Sequence, residues 1–201
     1  MEMNADDAKR ALGDIEYVMK QVKGRLSAGP TGNILMVWGA VWITCFALPY
    51  WLPQWAFTGW MIGNSLGILC TTIFVILDAR KRKIVSNEMK QISLRIGWAW
   101  GSLFIFLFFM MAIISPLNWP EESAVLVIML MFMYVIMGLW LRATFLFAVG
   151  WFIAIAACLG YFLMKWGWLG DMRNYTLWLA LICGGTLFTS GFYIKRRWSP
   201  T

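Results

Sequence analysis

The 201-residue chain contains no histidine, which removes imidazole general bases, histidine proton relays and histidine-ligated haem or zinc from consideration. Its four cysteines, Cys45, Cys70, Cys158 and Cys183, stand apart in four different apolar stretches and form no C-x-x-C pair. They read as small buried side chains and say nothing about redox compartment. Charge is scarce: 13% of residues are Asp, Glu, Lys or Arg and 61% are apolar, where an ordinary soluble domain is about a quarter charged and about half apolar. That balance excludes a soluble globule. It also leaves no room for a folded soluble catalytic domain beside the apolar stretches.

What is present is six apolar runs, at 33–52, 58–77, 96–114, 123–141, 144–163 and 175–194. Each has 19 or 20 residues, about the 20 that cross a ~30 Å hydrocarbon core at 1.5 Å per residue. The fold expected is all-α, a polytopic bundle of six transmembrane helices over 33–194. An amphipathic cytoplasmic helix and linker precede it over 1–32, and a basic tail follows at 195–201. Residues 1–32 carry no apolar core of a leader, so the first span is expected to act as its own insertion signal.

Fifteen of the 17 Lys and Arg residues fall in alternate connections, at 1–32, 78–95, 142–143 and the C-terminus. Under the positive-inside rule this puts both termini in the cytoplasm of a multi-pass protein of the bacterial inner membrane. The formal charge of +7 then reports topology. Arg80, Lys81, Arg82 and Lys83, with Lys195, Arg196 and Arg197, read as contacts to anionic headgroups and not as a nucleic-acid patch. Many of the 14 tryptophans, among them Trp51, Trp55, Trp119, Trp166, Trp168 and Trp198, sit where an aromatic belt would. Trp38 and Trp42, one turn apart in the first span, are candidates for a helix interface or a cavity wall.

Helices in lipid gain little from hydrophobicity when they meet, so small residues that permit close approach hold them together. Gly59, Gly63 and Gly67 recur every four residues along one face of the second span, and Gly97 and Gly101 do so in the third; the fifth adds Ala156 and Gly160, and the sixth Ala180 and Gly184 followed by Gly185. These are expected to pack helices within one chain, with a homodimer seam as the alternative, and Gly63→Leu to disrupt the bundle. The turn at Leu141, Arg142 and Ala143 is short enough to force the fourth and fifth spans into an antiparallel hairpin.

No Asp, Glu, Lys or Arg lies in the middle of any span, which argues against charge-moving pumps and proton-coupled exchange. The intramembrane polar groups are neutral: Asn64, Ser65, Thr71 and Thr72 in the second span, and Thr44, Ser102, Tyr134, Tyr161, Thr186, Thr189 and Ser190 elsewhere. Ser and Thr can satisfy themselves on the preceding turn. Asn64 cannot, because its amide carries more donors and acceptors than its own helix can meet. It is either glue between helices or a ligand contact, with Thr186, Thr189 and Ser190 as a second polar surface. No nucleophile has an adjacent base and no carboxylate pair exists, so no catalytic residue, metal ligand or cofactor is assigned.

Residues 4–26 read as a helix, with Asn4 as cap, Asp6 and Asp7 in its first turn and Lys20, Lys23 and Arg25 near its end. Leu12, Ile15, Met19 and Val22 are the centre of a heptad seam that stops at Gly29-Pro30. Five acids against five bases over 1–32 weaken a membrane-surface role, which is usually Lys/Arg-rich. Docking on the chain's own bundle and pairing with a partner protein both remain.

The order of features resembles a group of small bacterial six-helix inner-membrane proteins of unassigned activity. It is carried by the charged N-terminal helix, Gly32-Asn33-Ile34-Leu35-Met36-Val37-Trp38-Gly39, Tyr134-Val135-Ile136-Met137-Gly138-Leu139-Trp140 and Ser190-Gly191-Phe192-Tyr193-Ile194-Lys195-Arg196-Arg197-Trp198. The resemblance implies a topology and no catalytic residue. The missing charged intramembrane chemistry and the heptad seam instead lead to the expectation of a non-enzymatic accessory, scaffolding or regulatory component, in contact with membrane lipids and with a protein partner or as a homo-oligomer, and without nucleic acid. The alternative is a carrier or binding protein for an uncharged or lipophilic ligand.

Overall fold

The computed structural model describes residues 31–81, 87–114 and 118–198, together with Gly13. The seam at Leu12, Ile15, Met19 and Val22 lies outside the described residues, as do Arg82 and Lys83 and the side chains of Lys81 and Arg197. Six helices are long and apolar enough to cross a membrane, and among the described residues there is no strand. The chain is a multi-pass membrane protein. The helices are α1 (Thr31–Trp51), α2 (Ala56–Lys81), α3 (Asn87–Ile114), α4 (Trp119–Trp140), α5 (Thr144–Lys165) and α6. The last is composite: α-helix over Met172–Trp178 and Gly185–Trp198, with a π-helical segment over Leu179–Gly184 between them.

Local chemistry sets the helix ends. Pro53 opens a single 3-10 turn (Pro53–Trp55) between α1 and α2. Pro120 sits in the first turn of α4, where its missing N–H costs nothing, and the Glu121 carboxylate there accepts from the Asn118 N–H at 3.2 Å. At the other end of α4, Ala143 N–H reaches back to Gly138 O at 2.8 Å and Arg142 N–H to Leu139 O at 3.1 Å. With Arg142 at φ 50° this is a Schellman stop, and it turns the chain directly into α5. The end of α5 repeats the device: Trp168 N–H bonds Leu163 O at 2.9 Å and Gly167 takes φ 79°.

Each helix packs on its neighbour in sequence, α1 also packs on α6, and one pairing is missing. The order of contact is α2, α1, α6, α5, α4, α3, a series whose two end members do not meet: among the described residues no Cα of α2 lies within 8 Å of one in α3. The core is contributed by the four middle members of this series. Leu35, Trp42 and Phe46 of α1, Val127 and Met131 of α4, Ile153 and Ala157 of α5, and Tyr175, Leu179, Cys183 and Leu187 of α6 form one buried cluster.

Glycines set how closely these helices approach. A Cβ on Gly39 would collide with the backbone of Phe188, and one on Gly184 would lie 2.8 Å from the Ile43 nitrogen. One on Gly191 would lie 2.7 Å from the Met36 nitrogen. The antiparallel α1/α6 pair is thus in backbone contact at several levels, which trades side-chain volume for dense van der Waals packing. Gly138 against the Phe147 backbone and Gly150 against Val135 N at 3.0 Å do the same for the α4/α5 hairpin.

Candidate functional site

The stripe Gly59, Gly63 and Gly67 lies against α1, where added Cβ atoms would meet Leu48, the Cys45 sulfur and the Trp38 ring respectively. These are side-chain contacts, looser than the backbone contacts between α1 and α6. Gly97 and Gly101 are different: a Cβ on either would meet nothing within 4 Å, so among the described residues neither touches another helix. α3 is held to α4 by Leu103 and Leu107, both buried, and by Trp100, whose ring meets Tyr134 edge-on at 5.7 Å.

The polar residues divide in the same way. The indole N–H of Trp38 donates to Thr71 Oγ1 at 3.1 Å, so the polar bond between α1 and α2 is made by a tryptophan and a threonine. Cys45 adds a weak S–H contact to Gly59 O at 3.4 Å. Asn64 is half-buried on α2, and no described residue hydrogen-bonds its amide. Thr189 is satisfied on its own helix by Gly185 O at 2.8 Å. Ser190 is buried and Thr186 half-buried. These three belong to α6, and the described parts of α2 and α6 make no contact, so the structure does not bring Asn64 and the α6 hydroxyls to one surface. Arg80, Lys195 and Arg196 are exposed at the end of the bundle where α2 and α6 finish.

Three groups carry more of the architecture than their sequence context suggested. Trp178 covers Gly160 and donates its indole N–H to Ala156 O at 2.9 Å, which explains the small pair Ala156 and Gly160 as a seat for that ring. Glu121 accepts from the Tyr161 hydroxyl at 3.4 Å as well as from the α4 N-terminus, tying the start of α4 to the end of α5. Tyr134, on α4, packs against the core cluster, is half-buried, and makes no hydrogen bond through its hydroxyl among the described residues. The indole nitrogens of Trp60 and Trp119 are enclosed without an acceptor; the Trp60 ring stands at 82° to Phe46 with centroids 4.8 Å apart, an edge-to-face contact.

A shallow groove of about 330 Å³ near the start of α6 is lined by Trp168, Leu169, Asn174, Leu177, Trp178 and Leu181. The Asn174 amide nitrogen already donates to Leu169 O at 2.8 Å, so the groove offers mainly apolar and aromatic wall. Among the described residues no group of three or more Cys, Asp or Glu side chains is placed to hold a metal ion. No family model, curated protein or solved structure matches the chain.

Proposed function

We propose that the chain is a non-enzymatic accessory, scaffolding or regulatory component of the bacterial inner membrane, with both termini in the cytoplasm, that engages a protein partner. The observation that carries this reading is the exposure of α2 and α3. Only 6% of the apolar window of α2 and 11% of that of α3 is buried, against 33–44% in the other four spans. Two complete membrane-spanning helices are therefore offered laterally, each held to the bundle along one narrow edge. The heptad seam before the bundle and the basic run at the α2/α3 connection fall on a single side of the membrane under the positive-inside rule, and supply a second contact there.

The test is gentle detergent extraction of the full chain from its native membrane, with mass spectrometry of the proteins that accompany it. A stoichiometric partner that is lost when residues 1–26 are deleted is the expected result. A chain that elutes alone, with or without those residues, would sink the reading. Cysteine-accessibility labelling at the two ends of the chain checks the orientation.

A further inference from the structure

The groove near the start of α6 is built from two pieces, each pinned in place. Asn174, Leu177, Trp178 and Leu181 line it from α6, and their spacing of i, i+3, i+4 and i+7 puts them on one helix face. The connection from α5 contributes Trp168 and Leu169. That connection is held by the N–H groups of Trp168 and Leu169, which bond Leu163 O at 2.9 and 3.1 Å, and by the Asn174 amide nitrogen, which donates to Leu169 O at 2.8 Å. The Trp178 ring is seated on Gly160 and fixed by its bond to Ala156 O. The groove is therefore formed before anything enters it, and its volume of about 330 Å³ lies at the small end of ligand sites. Trp168 is 83% exposed and Leu181 66%, so the groove opens away from the core, towards lipid.

Charge is distributed unevenly around this groove. The α1/α2 and α3/α4 connections at the same end of the bundle hold no Lys or Arg, and the two cations found there, of 17 in the chain, are Lys165 and Arg173. Both are exposed and both flank the groove. Lys165 ends α5 in the turn that delivers Trp168, and Arg173 precedes Asn174 and stands one helical turn before Leu177, on the same side of the helix. With Asp171, residues 165–174 carry a net charge of +1. Asn174 makes no second side-chain hydrogen bond among the described residues, so its amide oxygen is open to a ligand. From Asn174 to Leu181 the helix rises about 10 Å, about two-thirds of one ~15 Å leaflet. Along that length the chemistry passes from cationic through amide and aromatic to aliphatic, the order met along a phospholipid from phosphate to acyl chain.

We propose that this groove binds one anionic glycerophospholipid with a single phosphodiester charge, of which phosphatidylglycerol is the simplest. Its phosphate pairs with Lys165 and Arg173, whose long stems extend to headgroup level. Its glycerol lies at Asn174, and one acyl chain runs between Trp168 and Trp178 down to Leu181. The net charge of +1 matches one phosphodiester, whereas phosphatidylethanolamine would bring its own ammonium up to the two cations, a like-charge contact that selects against it. The site lies at the opposite end of the bundle from Arg80, Lys195 and Arg196. It also lies on α5 and α6, apart from the α2 and α3 faces assigned above to a protein partner, and it stands or falls by a different measurement.

The experiment places the full chain in nanodiscs of phosphatidylethanolamine that hold a small fraction of phosphatidylglycerol with a photoreactive diazirine in its acyl chain, and maps the labelled peptides after irradiation. Labelling concentrated within residues 168–181 is expected, displaced by added unlabelled phosphatidylglycerol and not by phosphatidylethanolamine. Lys165→Gln combined with Arg173→Gln should raise the phosphatidylglycerol needed for half-maximal labelling about tenfold. Trp168→Ala should lower labelling of 174–181 with both cations in place, and so tests the groove independently of the charge variant. All three side chains are exposed, so both variants should elute as the wild type does in size exclusion. Labelling spread evenly over the exposed faces of α2 and α3 as well, or equal displacement by the two lipids, means contact with bulk lipid only and overturns the site. Disulfide formation between two copies of Leu181→Cys would overturn it too, by showing the groove covered with protein.

Discussion

The α1, α4, α5 and α6 helices and the pair α2 and α3 are equally suited to lipid and very differently suited to each other. Mean hydropathy is 1.9 for α2 and 2.0 for α3, inside the 1.6 to 2.3 spanned by the other four, yet their burial is several-fold lower. Hydropathy measures transfer from water into hydrocarbon, and lipid tails satisfy an apolar side chain as well as a neighbouring helix does. What separates the two groups is close approach. The core helices meet backbone to backbone at Gly39, Gly184, Gly191, Gly138 and Gly150, whereas α2 meets α1 only through side chains and α3 meets α4 through Leu103, Leu107 and Trp100.

The sharpest way to break this contrast is to put bulk where backbones touch. Gly39→Leu, which drives a side chain into the Phe188 backbone, is expected to cost about 3 kcal/mol or more, seen as loss of a monodisperse peak in size exclusion. Gly63→Leu should be milder, about 1–2 kcal/mol, because its obstacle is the Cys45 sulfur at the end of a side chain; an SDS-denaturation midpoint shifted as far as that of Gly39→Leu would erase the distinction. Removing the one indole bond between α1 and α2, by Trp38→Phe, should cost about 1 kcal/mol. It should lower disulfide trapping between α1 and α2 while leaving α1–α6 trapping unchanged, and a double-mutant cycle with Thr71→Val isolates the pair. Least of all, Gly97→Leu should move the midpoint by no more than about 0.5 kcal/mol, since the position faces open space; a large loss of stability would mean that α3 is covered in the membrane after all.

Much of the candidate site was visible in the letters, and the part that was not has a physical reason. Gly59, Gly63 and Gly67 announce themselves by recurring at every fourth position, and they do lie along α1. Gly97 and Gly101 have the same spacing, yet a Cβ on either would meet nothing within 4 Å among the described residues, because spacing defines a face of a helix without saying what stands opposite. Gly184, read with Ala180 as a small packing pair, does meet α1 at Ile43, but the longer pattern was not read: Gly32 and Gly39 on α1, and Gly184 and Gly191 on α6, are seven residues apart. That interval returns to the same face after two turns, and it would have been the signal to seek on both helices at once. Asn64 drew attention for its amide, but the polar bond between α1 and α2 was made by Trp38 and Thr71. A threonine's role depends on whether a donor arrives across the interface, and a single helix cannot show that. Tyr134 is one neutral polar residue among many in the letters, and only the fold sets it between Trp100 and the core cluster.

The sequence alone determined that this is a six-span membrane protein, where its spans fall, and that its intramembrane polar groups are neutral. Those properties follow from free energies of transfer, which belong to each segment separately. Tertiary structure alone decided the order α2, α1, α6, α5, α4, α3, the π-helical segment Leu179–Gly184 inside the last span, and that the described parts of α2 and α3 do not meet. Those depend on which surfaces reach backbone contact, a property of pairs of helices.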